Sequence, residues 1–330
     1  MQYILETKKL GCRKSEISKN LNISLRSIQN WEAKGIKDNR KGSVKVIPNK
    51  LCDAEVNKIL KTSCSDRFKN LTPYEIVPIL AEEGRYLASE STFYRVLRKE
   101  GLIKQKKKTR RCKVQGVEIK ATGANQIWSW DITYLTTAVR GQYLYLYLFM
   151  DIWSRAIIGW EIHEIESGQL ASKMMERLCK EHGVEKDILL LHSDNGGPMK
   201  NGTMLATLQM LGVTSSFSRP SVSNDNAYSE SLFKTLKYTA GYPKHFDGIE
   251  SAISWVTNFV KWYNFEHRHS KIGYVTPIQR HTGKDKIILA RRQIVYKKAQ
   301  MENQNRWTKN CKQWDWSKDV YLKKGNFIRK

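Results

Sequence analysis

Three carboxylates stand in three short phrases of this sequence. Asp131 lies in Trp128-Ser-Trp-Asp-Ile-Thr-Tyr134, Asp194 in His192-Ser-Asp-Asn-Gly196, and Glu230 in Asn226-Ala-Tyr-Ser-Glu-Ser-Leu-Phe-Lys234. Asp131 falls inside an apolar, strand-like run between Trp130 and Ile132, an unusual place for a carboxylate. Asp194 follows a short apolar strand, at the C-terminal strand end where α/β sites form, and Asn195-Gly196-Gly197 lets backbone approach closely. Glu230 lies one turn into an expected helix. Taken singly, Asp194 also reads as a turn residue and Glu230 as a solvated helical acid. Brought together, the three would hold two Mg²⁺ ions, with Mn²⁺ as a substitute, because Mg²⁺ takes oxygen ligands and keeps part of its water. Two-metal sites cut and join phosphodiester bonds. Such chemistry asks the protein for placement and charge neutralisation rather than covalent steps.

The elements that must position these acids are legible as hydrophobic patterns. Strands are expected over 127–135, 143–150 and 156–163, in an antiparallel meander. A helix over 170–182, a strand over 187–191, a helix over 204–211 and a strand over 213–217 follow. A polar loop over 218–225 leads into a helix over 226–239. On that helix Asn226, Glu230, Lys234 and Lys237 share one face, with Leu232, Phe233 and Leu236 packing behind. A carboxylate followed by lysines on one face can bind metal at one end and DNA phosphate at the other. Further helices are expected over 249–265, after Thr276-Pro277, and over 289–301, before a tail of aromatic and basic residues. This element order resembles the ribonuclease-H-like fold. Other polar residues near the acids read as support: Asp151 as a turn residue paired with Arg155, Asp225 as a helix cap, His192 as a hydrogen-bonding partner, and His267 and His269 as structural or phosphate-contacting.

The N-terminal third reads as helical and basic. Residues 14–21, a turn at Asn22-Ile23-Ser24 and residues 25–34 form a helix-turn-helix pattern with Leu25, Ile28 and Trp31 inward. Arg26, Gln29 and Asn30 then face outward, where a recognition helix meets base edges and phosphates; a helical hairpin with a solvated face is the alternative. A second helical pair spans 74–83, with Pro78 expected to kink it, and 89–100. Phe93, Val96 and Leu97 face inward there, leaving Ser91, Thr92, Tyr94 and Arg95 free for DNA, unless the pair serves dimerisation. Lys106, Lys107, Lys108, Arg110 and Arg111 form a basic block suited to a DNA backbone.

Composition agrees. The 330 residues carry 57 Lys and Arg against 32 Asp and Glu, a net charge of +25, which implies a polyanionic partner, nucleic acid before an anionic membrane. No apolar run approaches the length of a membrane span, and the first residues lack the pattern of a signal peptide. The six cysteines form no Cys-x-x-Cys pair and read as reduced thiols of a cytoplasmic protein. No histidine precedes His163, so an N-terminal His/Cys zinc module is excluded.

The three acid phrases resemble the catalytic core of Asp-Asp-Glu transposases and retroviral integrases. Asp194 and Glu230 are separated by 35 residues, the integrase-like spacing, and Lys237 stands seven residues beyond Glu230. Ser154-Arg155, Gly159-Trp160, Asp225-Asn226-Ala227, Trp262-Tyr263-Asn264 and His267-Arg268-His269-Ser270 are similar to bacterial insertion-sequence transposases. The resemblance implies Mg²⁺-dependent cleavage at terminal inverted repeats, strand transfer by a 3′-hydroxyl into target double-stranded DNA, a homo-oligomeric synaptic complex and a nucleoid-associated location. A same-fold nuclease that cuts without joining and a helix-turn-helix regulator are the rivals. The expected organisation is a helix-turn-helix module over 1–36, a linker over 37–49, a second helix-turn-helix-like module over 50–102, a basic linker over 103–124, a ribonuclease-H-like integrase core over 125–283, and a basic helix and tail over 284–330.

Overall fold

The computed structural model describes residues 2–35, 49–103, 117–218, 226–307 and 310–324. It divides into two compact units, residues 1–50 and residues 51–330. In the first, α1 (Gln2–Lys9), α2 (Lys14–Leu21) and α3 (Leu25–Lys34) close around Ile4, Ile17 and Ile28. The turn is built as its residues require: Asn22 takes a left-handed φ of 51°, and the Ser24 hydroxyl accepts the Ser27 N–H at 3.1 Å to cap α3. Two expectations change here. The helix α1, which lacks a clear apolar stripe, supplies a third wall, and Leu25 remains 41% exposed because Ile28 and Ile4 already fill the core.

The second unit begins with α4 (Asp53–Ser63), α5 (Pro73–Glu82) and α6 (Glu90–Lys99). Thr72 and Glu75 form a reciprocal cap at α5, and Ser89 caps α6. The α5 helix runs on through Pro78. Further along the chain, β1 (Val117–Ala121) leads into the sheet strands β2 (Ile127–Thr136), β3 (Tyr143–Asp151) and β4 (Ile157–His163), then α7 (Gly168–Glu181), β5 (Leu190–Ser193), α8 (Gly202–Leu211), β6 (Thr214–Phe217) and α9 (Ala227–Tyr238). The chain continues through α10 (Ile249–Phe265), α11 (Pro277–His281), α12 (Asp285–Glu302) and β7 (Val320–Lys324).

The five-stranded sheet has the order β4-β3-β2-β5-β6, with β3 antiparallel to β2 and β4, and β5 parallel to both β2 and β6. This is the ribonuclease-H-like arrangement expected from the element order. Side chains alternate across the pleat. One face packs Trp128, Trp130, Tyr147 and Phe149 under α7 and α8; the other packs Leu135, Leu146, Leu148 and Met150 against Leu232, Phe233 and Leu236 of α9 and against α10. The strand β5 starts three residues later than the apolar run suggests. Asp187 adopts a φ of 64° and donates its N–H to the Gly212 carbonyl, which makes a turn there, and pairing with β2 fixes the register at Ile127 opposite Leu190.

The boundaries expected at 102 and 284 do not separate cores. Ile76, Leu80, Phe93 and Val96 share one apolar cluster with Leu289, Tyr296 and Trp314, so α12 and the aromatic tail complete the core of the second helical group. The helix α12 turns Leu289, Arg292, Tyr296 and Ala299 inward, at helical spacing, rather than lying free as a basic surface helix. Likewise β1 and β7 pair antiparallel, Val117 opposite Lys324, where a linker and a tail were expected.

Glu82 on α5 ties this arrangement together. It accepts hydrogen bonds from both Arg268 and the fully buried Arg292, which also donates to the carbonyls of Gly273 and Tyr274. Removing one member of a buried pair leaves an uncompensated charge, which costs more than the pair contributes. Glu82→Ala is expected to destabilise the chain by about 3–5 kcal/mol in urea unfolding. A loss below about 1 kcal/mol, the value of a surface pair, would rule out this role.

Candidate active site

Asp131 sits mid-strand in β2, opposite Leu148 of β3, on the face covered by α9. Its Oδ1 accepts the Ile132 N–H at 2.9 Å and its Oδ2 accepts the side-chain amide of Asn226 at 3.2 Å. The Asn226 Oδ1 in turn accepts the Ser129 hydroxyl at 2.9 Å, and Ser129 Oγ lies 2.6 Å from Ser229 Oγ. With the Ser129 proton committed to Asn226, Ser229 is the donor in that second contact. Ser129 and Asp131, two residues apart, share one face of the strand. This network therefore fastens the start of α9, and with it Glu230, to the central strand.

Asp194 stands directly after β5, at the end of the strand parallel to β2. Its Oδ1 accepts the Gly196 N–H at 2.8 Å. A Cβ on residue 196 would lie 3.0 Å from that oxygen and 2.9 Å from Met199 Sδ, so any larger residue there would have to displace one of those side chains. The Asn195 side chain donates to the Ser218 carbonyl across the loop.

The electrostatics are those of an over-acidic site. Burial pushes the Asp131 carboxyl up to about 7, and the charges of Asp194, Glu230 and Glu166 add to the effect against the Ile132 N–H. Burial also raises Glu230, which is exposed on α9. Among the described residues no lysine or arginine forms an ion pair with Asp131, Asp194 or Glu230, in a chain of net charge +25. An all-oxygen, uncompensated donor set suits a hard divalent cation. Among the described residues no three His, Cys, Asp or Glu side chains stand close enough together to hold one in common.

Other expected site residues fall in different places. Lys234 and Lys237 are exposed on α9, but Asn226, expected on the same DNA-facing surface, is buried, because its amide is spent on Asp131 and Ser129. Arg26, Gln29 and Asn30 are exposed on α3. On α6, Ser91 and Arg95 are exposed, whereas Thr92 and Tyr94 are half-buried. Thr92 serves the Ser89 cap, and the Tyr94 ring lies 5.4 Å from that of Tyr74. Lys106, Lys107, Lys108, Arg110, Arg111 and Asp225 lie outside the described residues.

The supporting polar residues also sort out. His192 lies 3.1 Å from Ser216 Oγ, joining β5 to β6. Asp151 is buried in its turn, accepting from the Ser154 N–H and hydroxyl and from the Asn125 N–H; it meets Arg155 only through backbone, not as an ion pair. His267 stacks on Tyr263. Sequence reasoning missed Ser129, Ser229 and Glu166. The signal for Ser129 was its two-residue spacing from Asp131.

Between about pH 4 and pH 7 the folded chain holds a proton on Asp131 that the unfolded chain releases. This carboxyl therefore weakens the fold as pH rises through that window, with full effect above it. In chelator, Asp131→Asn is expected to stabilise the chain by about 2–4 kcal/mol at pH 8 and by nothing below about pH 4. An equal effect at both pH values in denaturant titrations would refute the raised pKa of Asp131.

Residues 121–223 and residues 211–277 match two families, each described as an integrase core domain. The transposase for insertion sequence element IS904 of Lactococcus lactis is 32% identical over 160 residues, covering 48% of this chain and 62% of that protein. Transposase InsF for insertion sequence IS3A of Escherichia coli is 34% identical over 160 residues, covering 48% of this chain and 54% of that protein. The chain thus spans less than two thirds of the length of either relative. The catalytic core domain of BIV integrase is 18% identical, with a TM-score of 0.38, over 49% of this chain and 97% of that one. Integrase core domain models thus match the stretch from residue 121 to residue 277 in two overlapping parts.

Proposed function

We propose that the chain is a DNA transposase that cleaves insertion-sequence ends and joins them to target DNA. The observation that carries this reading is the crowding of acids around Asp131, with no basic partner among the described residues, inside a segment that matches the integrase core. Asp131, Asp194 and Glu230 would hold Mg²⁺, two ions in the active complex, with Mn²⁺ able to replace it. Bound there, the metal neutralises charge on the transferring phosphoryl group and makes water a better nucleophile near neutral pH.

The protein supplies position. Asn226 fixes the plane of the Asp131 carboxyl, and the Gly196 N–H fixes that of Asp194. Lys234 and Lys237 extend the exposed side of α9 beyond Glu230. Lys237, about 10 Å along the axis from Glu230, is too far to share a ligand shell but can reach a nearby backbone phosphate. Arg26, Gln29 and Asn30 on α3 read bases of the terminal repeats, and Ser91, Thr92, Tyr94 and Arg95 on α6 add contacts. Lys106, Lys107, Lys108, Arg110 and Arg111 follow the DNA backbone. Two DNA ends and a target require more than one copy of the chain, so the working form is a homo-oligomer on double-stranded DNA.

A strand-transfer assay with labelled end DNA and Mg²⁺ tests the reading. Asp131→Asn, Asp194→Asn and Glu230→Gln should each reduce cleavage and joining at least about 10²-fold while end binding persists. Near-normal activity in any one of them removes that residue from the site. Cutting without joining assigns a nuclease, and binding alone assigns a regulator.

DNA recognition divides into two measurable parts. Gln29→Ala should cost about 1–3 kcal/mol at particular base pairs. Replacing Lys106, Lys107 and Lys108 by alanine should weaken binding to all sequences and flatten its salt dependence. Equal losses on specific and random DNA from Gln29→Ala would contradict base reading by α3.

A further inference from the structure

A cavity of about 410 Å³ lies on the other flank of α9 from Asp131, within the size range of small-ligand sites. Arg155 from the turn between β3 and β4, Tyr228 of α9, Tyr263 of α10, His269 and Lys271 beyond α10, and Tyr321 of β7 line it, and none of its lining residues is acidic.

Arg155 is the unusual group. Arg155 is half-buried, and the two fully buried arginines are neutralised: Arg280 faces Asp285 at 3.6 Å and donates to two carbonyls, and Arg292 pairs with Glu82. Arg155 has no hydrogen bond or ion pair from its guanidinium among the described residues, and its Nε is buried without a partner. The guanidinium rests over the Tyr228 ring, 4.1 Å from its centroid, which orients it but offers no acceptor in its plane. Its backbone is held at a φ of 69°, with its N–H given to the Asp151 carbonyl. Burial lowers the Arg155 pKa, as it does those of Arg280 and Arg292.

The remaining walls suit a phosphorylated, flat ligand. His269 Nδ1 accepts the Lys271 N–H at 3.2 Å, so a neutral ring carries its proton on Nε2 and can donate. Burial, with Arg155, His267 and Lys271 nearby, holds that ring down to about 3, so it stays neutral. Lys271 is exposed at the cavity, and Tyr321 presents an exposed ring while its carbonyl accepts the Tyr228 hydroxyl at 2.6 Å.

We propose that this cavity binds a nucleotide of a DNA strand, its phosphate on Arg155 and Lys271 and its base against Tyr321. The assignment rests on the transposase reading only for the strand as the source of the nucleotide. Unpaired guanidinium, ammonium and a neutral imidazole donor form a phosphate-recognition set, and aromatic faces accept bases of any sequence.

Calorimetric titration of the full chain with thymidine monophosphate, inorganic phosphate and pentathymidylate tests it. Thymidine monophosphate should bind more tightly than inorganic phosphate, and pentathymidylate at least as tightly as the mononucleotide. Arg155→Met should weaken mononucleotide binding by about tenfold or more, and Lys271→Ala and Tyr321→Ala by about threefold or more. Both of the latter side chains are exposed, so those variants remain informative if Arg155→Met misfolds. Absent mononucleotide binding, affinity equal to that of inorganic phosphate, or unchanged affinity in both Lys271→Ala and Tyr321→Ala overturns the pocket. Exclusion of pentathymidylate overturns the strand as its source. Mononucleotide binding without DNA joining by the wild type would fail the transposase reading alone; joining without mononucleotide binding would fail the pocket alone.

Discussion

The start of α9 is held to β2 by four polar side chains, and the geometry of the acids depends on that junction. Asn226 spans Ser129 and Asp131, while Ser229 meets Ser129 from the next turn. All four side chains lie in a buried or half-buried setting, where a satisfied polar network specifies one arrangement and a half-satisfied one is costly. Leu232, Phe233 and Leu236 press the same helix onto the sheet but would tolerate small slides along an apolar surface. The hydrogen bonds remove that freedom. They set how far Glu230 stands from Asp131 and keep the Asp131 carboxyl in one orientation.

Charge is distributed unevenly over the chain. The surface of a protein with net charge +25 repels itself and attracts polyanions. Against that background the acids near Asp131 have no basic partner among the described residues, while Glu82 and Asp285 are paired with arginines. Glu82 and Asp285 hold the fold through those arginines, and Asp151 does so through hydrogen bonds from Ser154 and Asn125. The same contrast, with the sign reversed, separates Arg155 from Arg280 and Arg292.

Much of the sheet was legible in the sequence because its signals are local. Alternating apolar runs marked β2, β3 and β4, and Ser24 and Thr276-Pro277 marked helix starts. What escaped depended on long-range pairing. The strands β1 and β7 are short and about two hundred residues apart, and each is a strand only because the other pairs with it. The helix α12 looked like a basic surface element because Arg292 reads as polar, yet its charge is buried against Glu82, more than two hundred residues earlier. Asn226 appeared to face DNA because helical spacing gives a face but not which face the sheet covers. Ser129 and Ser229 carry no motif of their own, and their role exists only where strand and helix meet.

The central claim is that Asp131, Asp194 and Glu230 form a divalent-cation site. Titrating the full chain with Mn²⁺ and counting free ion by electron paramagnetic resonance tests it without DNA or turnover. The account predicts binding of up to about two ions per chain, with loss of binding in Asp131→Asn and competition by Mg²⁺. No bound Mn²⁺, or binding left intact by Asp131→Asn, would contradict it.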